Sequence, residues 1–125
     1  MSLEFKSDTP IYRQIVEYAY ARILSGEWPS GERVPSVREL AASLAVNSHT
    51  VLKAYDYLEA HGVIAPRRGM GFFTAPDARE RVDADRRENF FDTTLREVFA
   101  QMKMLGVGID DVVEHYRKYE NPDKP

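Results

Sequence analysis

Apolar side chains recur every fourth position from Ile11 through Ile15 and Ala19 to Ile23, with Val16, Tyr20 and Leu24 on their flank. That is the period of an α-helix with a wide buried stripe. Thr9 followed by Pro10 supplies its start, because proline suits the first helical position. The pattern predicts a helix over residues 10–24, stopped by Ser25-Gly26. The loop Glu27 to Gly31 is dense in turn formers, and its Trp28 is placed as a cap on the small core. A shorter period follows, with Val37, Leu40, Ala41 and Leu44 on one face and Ser36 and Glu39 spaced as a capping box. The small Ala41 and Ala42 allow another helix to approach closely. Asn47 is a good cap for a third helix with inward residues Val51, Tyr55 and Leu58, which ends at Gly62. Val63-Ile64-Ala65 and Phe72-Phe73-Thr74 then have strand character on either side of Pro66-Arg67-Arg68-Gly69-Met70-Gly71, a hairpin with arginines and glycines at its tip.

Beyond Ala75-Pro76 the pattern changes. Residues 79–88 are almost wholly charged, and Arg79 with Asp83, Arg81 with Asp85, and Asp83 with Arg87 are opposite charges four apart, as on an exposed helix. Phe91, Leu95, Val98, Met102 and Leu105 follow at 4-3-4-3 spacing, a heptad-like seam reinforced by Phe90 and Phe99. Gly106 and Gly108 break that helix. Asp110-Asp111 then place negative charge in the first turn of a last one, where the helix dipole favours it, and Val112, Val113 and Tyr116 form its apolar side. A seam this large on a short chain needs a partner surface. Residues 77–120 are read as a helical hairpin that pairs with its twin through Phe91, Leu95, Val98, Phe99, Met102, Leu105, Val112, Val113 and Tyr116; folding back on the first domain is the other way to cover it. Residues 1–8 are an extended lead and 121–125 a frayed end.

The fold class is thus mainly α with a small β-hairpin: an N-terminal winged helix-turn-helix over residues 1–76 and a C-terminal two-helix dimerisation segment over 77–125. In a winged helix-turn-helix the second helix of a compact pair lies in the major groove of DNA. Asn47, Ser48, His49 and Thr50 stand where such a helix presents polar side chains to base edges. Arg33, Arg38, Lys53, Arg67 and Arg68 are placed to hold phosphates, with Gly69 allowing close approach at the hairpin tip.

The charge of the chain first argues against nucleic acid. Its 125 residues carry a net −3, whereas phosphates call for Lys and Arg. Residues 1–76 nevertheless hold 8 basic and 8 acidic side chains and residues 77–125 hold 9 and 12, so the whole deficit lies in the C-terminal segment. From Arg33 to Thr74 there are 5 basic side chains against 3 acidic, a local surplus that pairing would double. The chain has no cysteine, which excludes disulfides, thiolate metal sites and a Cys nucleophile. It has no apolar run near the length of a membrane span, and MSLEFKSDTP is not a signal peptide. A cytoplasmic protein without membrane contact is expected. So small a chain buries a low fraction of its surface, which also favours an oligomer.

The runs P10-I-Y-R-Q-I, G31-E-R-V-P-S-V-R-E-L-A, V46-N-S-H-T-V-L-K-A-Y-D-Y-L-E-A-H-G-V-I and R67-R-G-M-G, in that order, resemble the GntR family of bacterial transcription regulators. The N-x-x-T-V-x-K-A-Y form of the third helix and the short tail resemble the YtrA-type branch. The resemblance implies a dimer formed by two short C-terminal helices. It also implies DNA contacts from Arg38, from the front of the recognition helix and from Gly69 with its neighbours, and backbone positioning by Arg33. Many relatives have an arginine aligned with Ser48 and a further contact residue near Leu52. This chain offers no guanidinium at either place, so the bidentate guanine contact is missing there.

The implied function is sequence-specific DNA binding by a homodimer on an inverted-repeat operator, as a repressor, with transport genes as targets the branch suggests. No cofactor is called for. A small-molecule effector, if one acts, has seats at the Gly106–Gly108 hinge and around Phe90, Phe91 and Phe99, although those aromatics serve equally as dimer core. Two rivals differ in class. A winged helix used only as a protein-interaction module leaves Arg67 and Arg68 without a purpose. An enzyme lacks support, since His49, His61 and His115 share no ligand spacing and no Gly-rich phosphate loop follows a strand.

Overall fold

The four-residue apolar period near the N-terminus becomes α1, Ile11–Leu24, capped by Pro10 rather than starting on it. The computed structural model describes residues 4–123, so parts of the N-terminal lead and of the C-terminal end fall outside the described residues. After α1 come α2 (Val37–Leu44), α3 (Ser48–Ala60), the strands β1 (Ile64–Arg67) and β2 (Gly71–Thr74), then α4 (Ala78–Asn89), α5 (Leu95–Leu105) and α6 (Ile109–Glu120). A single π-helical turn, Phe90–Thr94, lies between α4 and α5. The chain forms two compact units, one reaching Asp85 and one beginning at Arg86.

In the first unit α1 contributes Ile15, Val16, Ala19, Tyr20 and Ile23 to the core, α2 contributes Leu40, Ala41 and Leu44, and α3 contributes Val51, Ala54, Tyr55 and Leu58. Trp28 is buried over this core with its ring edge-on to Tyr18 at 6.5 Å. Two positions depart from the periodic reading. Ile11 stays 44% exposed, because the stripe meets the core only from the second turn onward. Ala42 is exposed while Ala41 is buried, so one small residue and not two makes the close approach. The Ser36–Glu39 capping box is formed, with both reciprocal hydrogen bonds at 3.1 Å. Ala45 closes α2 in the left-handed region at φ 55°, a conformation that strains a residue with a Cβ.

α4 is not the wholly solvated helix that its charges suggest. Ala78, Val82 and Asp85 are buried in the first unit; they are four and three apart and therefore share one helix face. That face turns Asp85 inward, away from Arg81, which pairs instead with Asp77 at 3.0 Å. Arg79 donates to the Leu24 carbonyl at 2.8 Å, satisfying one of the acceptors left open at the end of α1. Asp85, 7% exposed, is the centre of a polar cluster. Its Oδ2 accepts from the Tyr20 hydroxyl at 2.6 Å, and the Tyr57 hydroxyl lies 3.0 Å from both carboxyl oxygens. His61 Nε2 stands 3.3 Å from Oδ1, and its ring stacks on Tyr57 at 4.1 Å. Burial, and after it the hydrogen bond to Asp85, holds the Tyr20 phenol well above its usual range.

In the second unit the 4-3-4-3 seam is not one continuous α-helix. The π-helical turn carries Phe91 on wider backbone, while Leu95, Val98, Met102 and Leu105 keep α-helical spacing. Gly106 ends α5 at φ 68°, and Asp111 Oδ2 accepts from the Gly108 amide at 3.2 Å at the start of α6. No residue of α5 or α6 is buried. Leu105 is 75% exposed, Tyr116 58%, Phe91 48% and Phe99 47%. Val98 and Val113 are exposed too, and Leu95, Met102 and Val112 are half-buried.

Two stability measurements test this account. Tyr20→Phe removes one donor from a buried carboxylate and is expected to cost about 1.5–3 kcal/mol in urea unfolding; a loss within error would remove Asp85 from its central place. Ala45→Gly relieves the left-handed strain and is expected to raise stability by about 0.5–1 kcal/mol, read as a higher urea midpoint at unchanged m-value.

Candidate nucleic-acid interface

The interface begins at the turn between α2 and α3. Asn47 is extended at φ −66°, ψ 137°, and its Oδ1 accepts from the His49 amide at 2.8 Å. The side chain expected to read bases therefore spends one acceptor site of its oxygen on the helix cap, leaving its Nδ2 donor and the second lone pair. Ser48 and His49 are exposed at the front of α3, whereas Thr50 is half-buried. Lys53, one turn on, places its ammonium 4.3 Å from the centre of the Tyr12 ring, a cation–π contact that tethers it beside α1.

Arg38 is exposed in the first turn of α2. Its neighbour Glu39 accepts from the Ser36 amide, and that bond, with the Ser36 hydroxyl, holds the Glu39 carboxyl below the usual carboxylate range. Glu39 also lies 3.5 Å from Arg33. This pair is exposed and steers the side chains more than it stabilises the fold.

The hairpin is antiparallel, with Ile64 opposite Thr74, Ala65 opposite Phe73, Pro66 opposite Phe72 and Arg67 opposite Gly71. The segment before α2 adds a third edge, since Arg33 bridges to Phe73 and the Val34 amide donates to the Phe72 carbonyl at 2.9 Å. Because side chains alternate along strands, Arg33, Phe73 and Arg67 share one face. The Arg67 guanidinium lies 4.0 Å above the Phe73 ring. Arg33 lies across Gly71, where a Cβ would meet its Nε at 3.1 Å, so Gly71 leaves room for the arginine. Arg68, Gly69 and Met70 form the exposed tip, and Gly69 takes φ 73°.

Tyr55 connects hairpin and helix. Its ring meets Phe72 edge-on at 5.2 Å and its hydroxyl donates to the Pro35 carbonyl at 2.6 Å. Every DNA-contact residue expected in this region thus lies on the segment before α2, the first turn of α2, the N-terminal half of α3 with its cap, or the hairpin, all in the first unit. The supporting residues Tyr12, Phe73 and Tyr55 were not singled out as such by the sequence pattern, because their partners are remote in the chain. Leu52, an exposed apolar residue one turn behind Ser48, was legible only as a departure from the family pattern.

Other chemistry finds little here. Among the described residues no three His, Asp or Glu side chains are grouped to hold a metal ion, and no helix is long and apolar enough to cross a membrane. In the second unit Phe91, Asp92, Arg96 and Phe99 line an open hollow of about 390 Å³.

Comparison with known proteins agrees with this arrangement. The family model described as bacterial regulatory proteins, gntR family, matches residues 11–74. The chain is 34% identical over 119 residues to the uncharacterised helix-turn-helix-type transcriptional regulator YhcF of Bacillus subtilis, covering 95% of this chain and 97% of that one. It is 39% identical over 79 residues to the transcriptional repressor YtrA of the same organism, covering 63% of this chain and 61% of the relative. Among solved structures, the DNA-binding domain of AraR in complex with operator ORX1 superposes at a TM-score of 0.55 with 28% identity, over 60% of this chain and 95% of that one. The winged helix-turn-helix, its arginine-tipped hairpin and these matches lead to one conclusion: the chain belongs to the GntR family and is a helix-turn-helix transcriptional regulator.

Proposed function

We propose that the protein is a cytoplasmic repressor that binds an inverted-repeat operator as a homodimer, with transport genes among its targets. The observation that carries the DNA half of this reading is the pairing of an exposed, polar α3 front with an arginine-bearing hairpin fixed to the same core by Tyr55. Ser48, His49 and the Nδ2 of Asn47 supply donors and acceptors for base edges. Arg33, Arg38, Arg67 and Arg68 supply sequence-independent attraction to phosphates, with Lys53 as a tethered cation beside them. Repression is supported by the name of the relative YtrA, and operator binding by the AraR complex.

The dimer half rests on the second unit. Helices α5 and α6 have no buried residue while Phe91, Phe99, Leu105 and Tyr116 stand open to solvent. Large apolar side chains left exposed at helical spacing mark a contact site. A second copy is the partner that covers it, since two half-sites about 34 Å apart then meet two recognition helices. An effector would have to bind two dimer geometries with different affinity to act at all; the hollow beside Phe91 and Phe99 is its proposed seat.

Two outcomes are expected. Arg67→Ala combined with Arg68→Ala should weaken binding to every duplex alike and lower the slope of log affinity against log salt by about 2, measured by fluorescence anisotropy. An unchanged slope removes the hairpin from the interface. Leu105→Glu should convert the dimer to monomer in sedimentation and reduce operator affinity, with the far-UV spectrum retained; a dimer that persists would place the contact elsewhere.

A further inference from the structure

Among the described residues of the first unit, three large apolar side chains are exposed, Ile11, Leu52 and Met70. Leu52 is the one that stands on the recognition helix. It is 42% exposed, four residues beyond Ser48 and three beyond His49, so it shares their face of α3. The helix rise places it about 6 Å farther along the axis than Ser48. The next residue on this face is Asp56, exposed and acidic. The part of α3 suited to polyanionic DNA therefore runs from Asn47 to Leu52 and Lys53.

An isolated surface leucine is ordinary. Its meaning changes once α3 lies in the major groove. A leucine pressed against a base pair removes water from the edge beneath it and offers no donor or acceptor in return. The guanine N7 and O6 acceptors or the cytosine amino group would be left unpaired there, at a cost. The groove carries one apolar feature, the C5-methyl of thymine. We propose that Leu52 is a specificity-determining residue that reads this methyl, so each half-site carries a thymine beneath it and disfavours a G·C pair at that position. The inference rests on the DNA-binding reading above and adds the chemistry of one base position to it.

The test uses the full chain. Wild type and Leu52→Ala are each used to enrich duplexes from a random pool, and thymines of the wild-type site are then replaced singly by deoxyuridine, which lacks only the methyl. Leu52 is exposed, so the variant folds, which circular dichroism confirms. One thymine position per half-site is expected at which deoxyuridine weakens wild-type binding about fourfold, the equivalent of ~0.8 kcal/mol per buried methyl, and leaves Leu52→Ala unaffected. The Leu52→Ala pool should lose its preference at that same position and keep the others. Equal sensitivity of both proteins to deoxyuridine at every position, or a wild-type site without a shared thymine, overturns the role of Leu52 while leaving sequence-specific binding intact. Failure of the folded wild type to enrich any sequence overturns the DNA-binding reading itself.

Discussion

Helix α3 belongs at once to the core and to the candidate interface, and the rest of the first unit follows from that double use. Val51, Ala54, Tyr55 and Leu58 are fully buried, which fixes the rotation of the helix about its own axis. One residue corresponds to about 100° of turn, so a slip by a single position would pull Val51 out of the core and put Thr50 or Leu52 in its place. Packing thereby decides which side chains meet the solvent side. Tyr55 adds a second restraint. Its hydroxyl, deep enough that burial holds the phenol above its usual range, must find an acceptor, and finds it in Pro35 at 2.6 Å. Its ring supports Phe72 of the hairpin. The same side chain thus aligns the loop before α2, the recognition helix and the hairpin, which is how surface residues on three elements acquire a common frame.

The Asp85 cluster serves the other end of α3. Burying a carboxylate is costly unless its oxygens are well supplied with donors, and here Tyr20 and Tyr57 supply them from α1 and α3. An apolar residue of similar size would fill the space at lower cost. A carboxylate that needs particular donors accepts few other arrangements, however, and so fixes α4 against α1 and α3 more narrowly than Val82 and Ala78 alone. This is specificity of packing obtained through polar groups whose hydrogen bonds are satisfied within the fold.

Much of the fold was legible because its signals are local. The Ser36–Glu39 box, the Asn47 cap, the four-residue period of α1 and the turn-rich hairpin all act within a few residues of themselves. What the pattern missed acts over distance. Arg81 and Asp85 are spaced as an ion pair, yet Asp85 finds Tyr20, 65 positions away. Lys53 has the charge to face phosphate, but Tyr12 of α1 lies beneath it. Asn47 had two uses open to it, and the structure commits its acceptor oxygen to the cap. The candidate site residues were named by type and place, whereas their supports Tyr12, Tyr55 and Phe73 belong to tertiary packing.

The charge of the chain and its exposed second unit both bear on how it would meet DNA. With net charge −3, the protein as a whole is repelled by DNA, and the side chains expected to oppose that are Arg33, Arg38, Lys53, Arg67 and Arg68. One copy therefore carries a modest footprint, and the proposed pairing would present two of them together. Residues 1–85 hold 10 basic and 12 acidic side chains and residues 86–125 hold 7 and 8, so the acidic excess is shared between the units, and what sets the second unit apart is its uncovered apolar residues. Its apolar seam has the spacing that joins helices. Under the proposed pairing, dimer formation depends on protein concentration, and DNA binding would depend on it too.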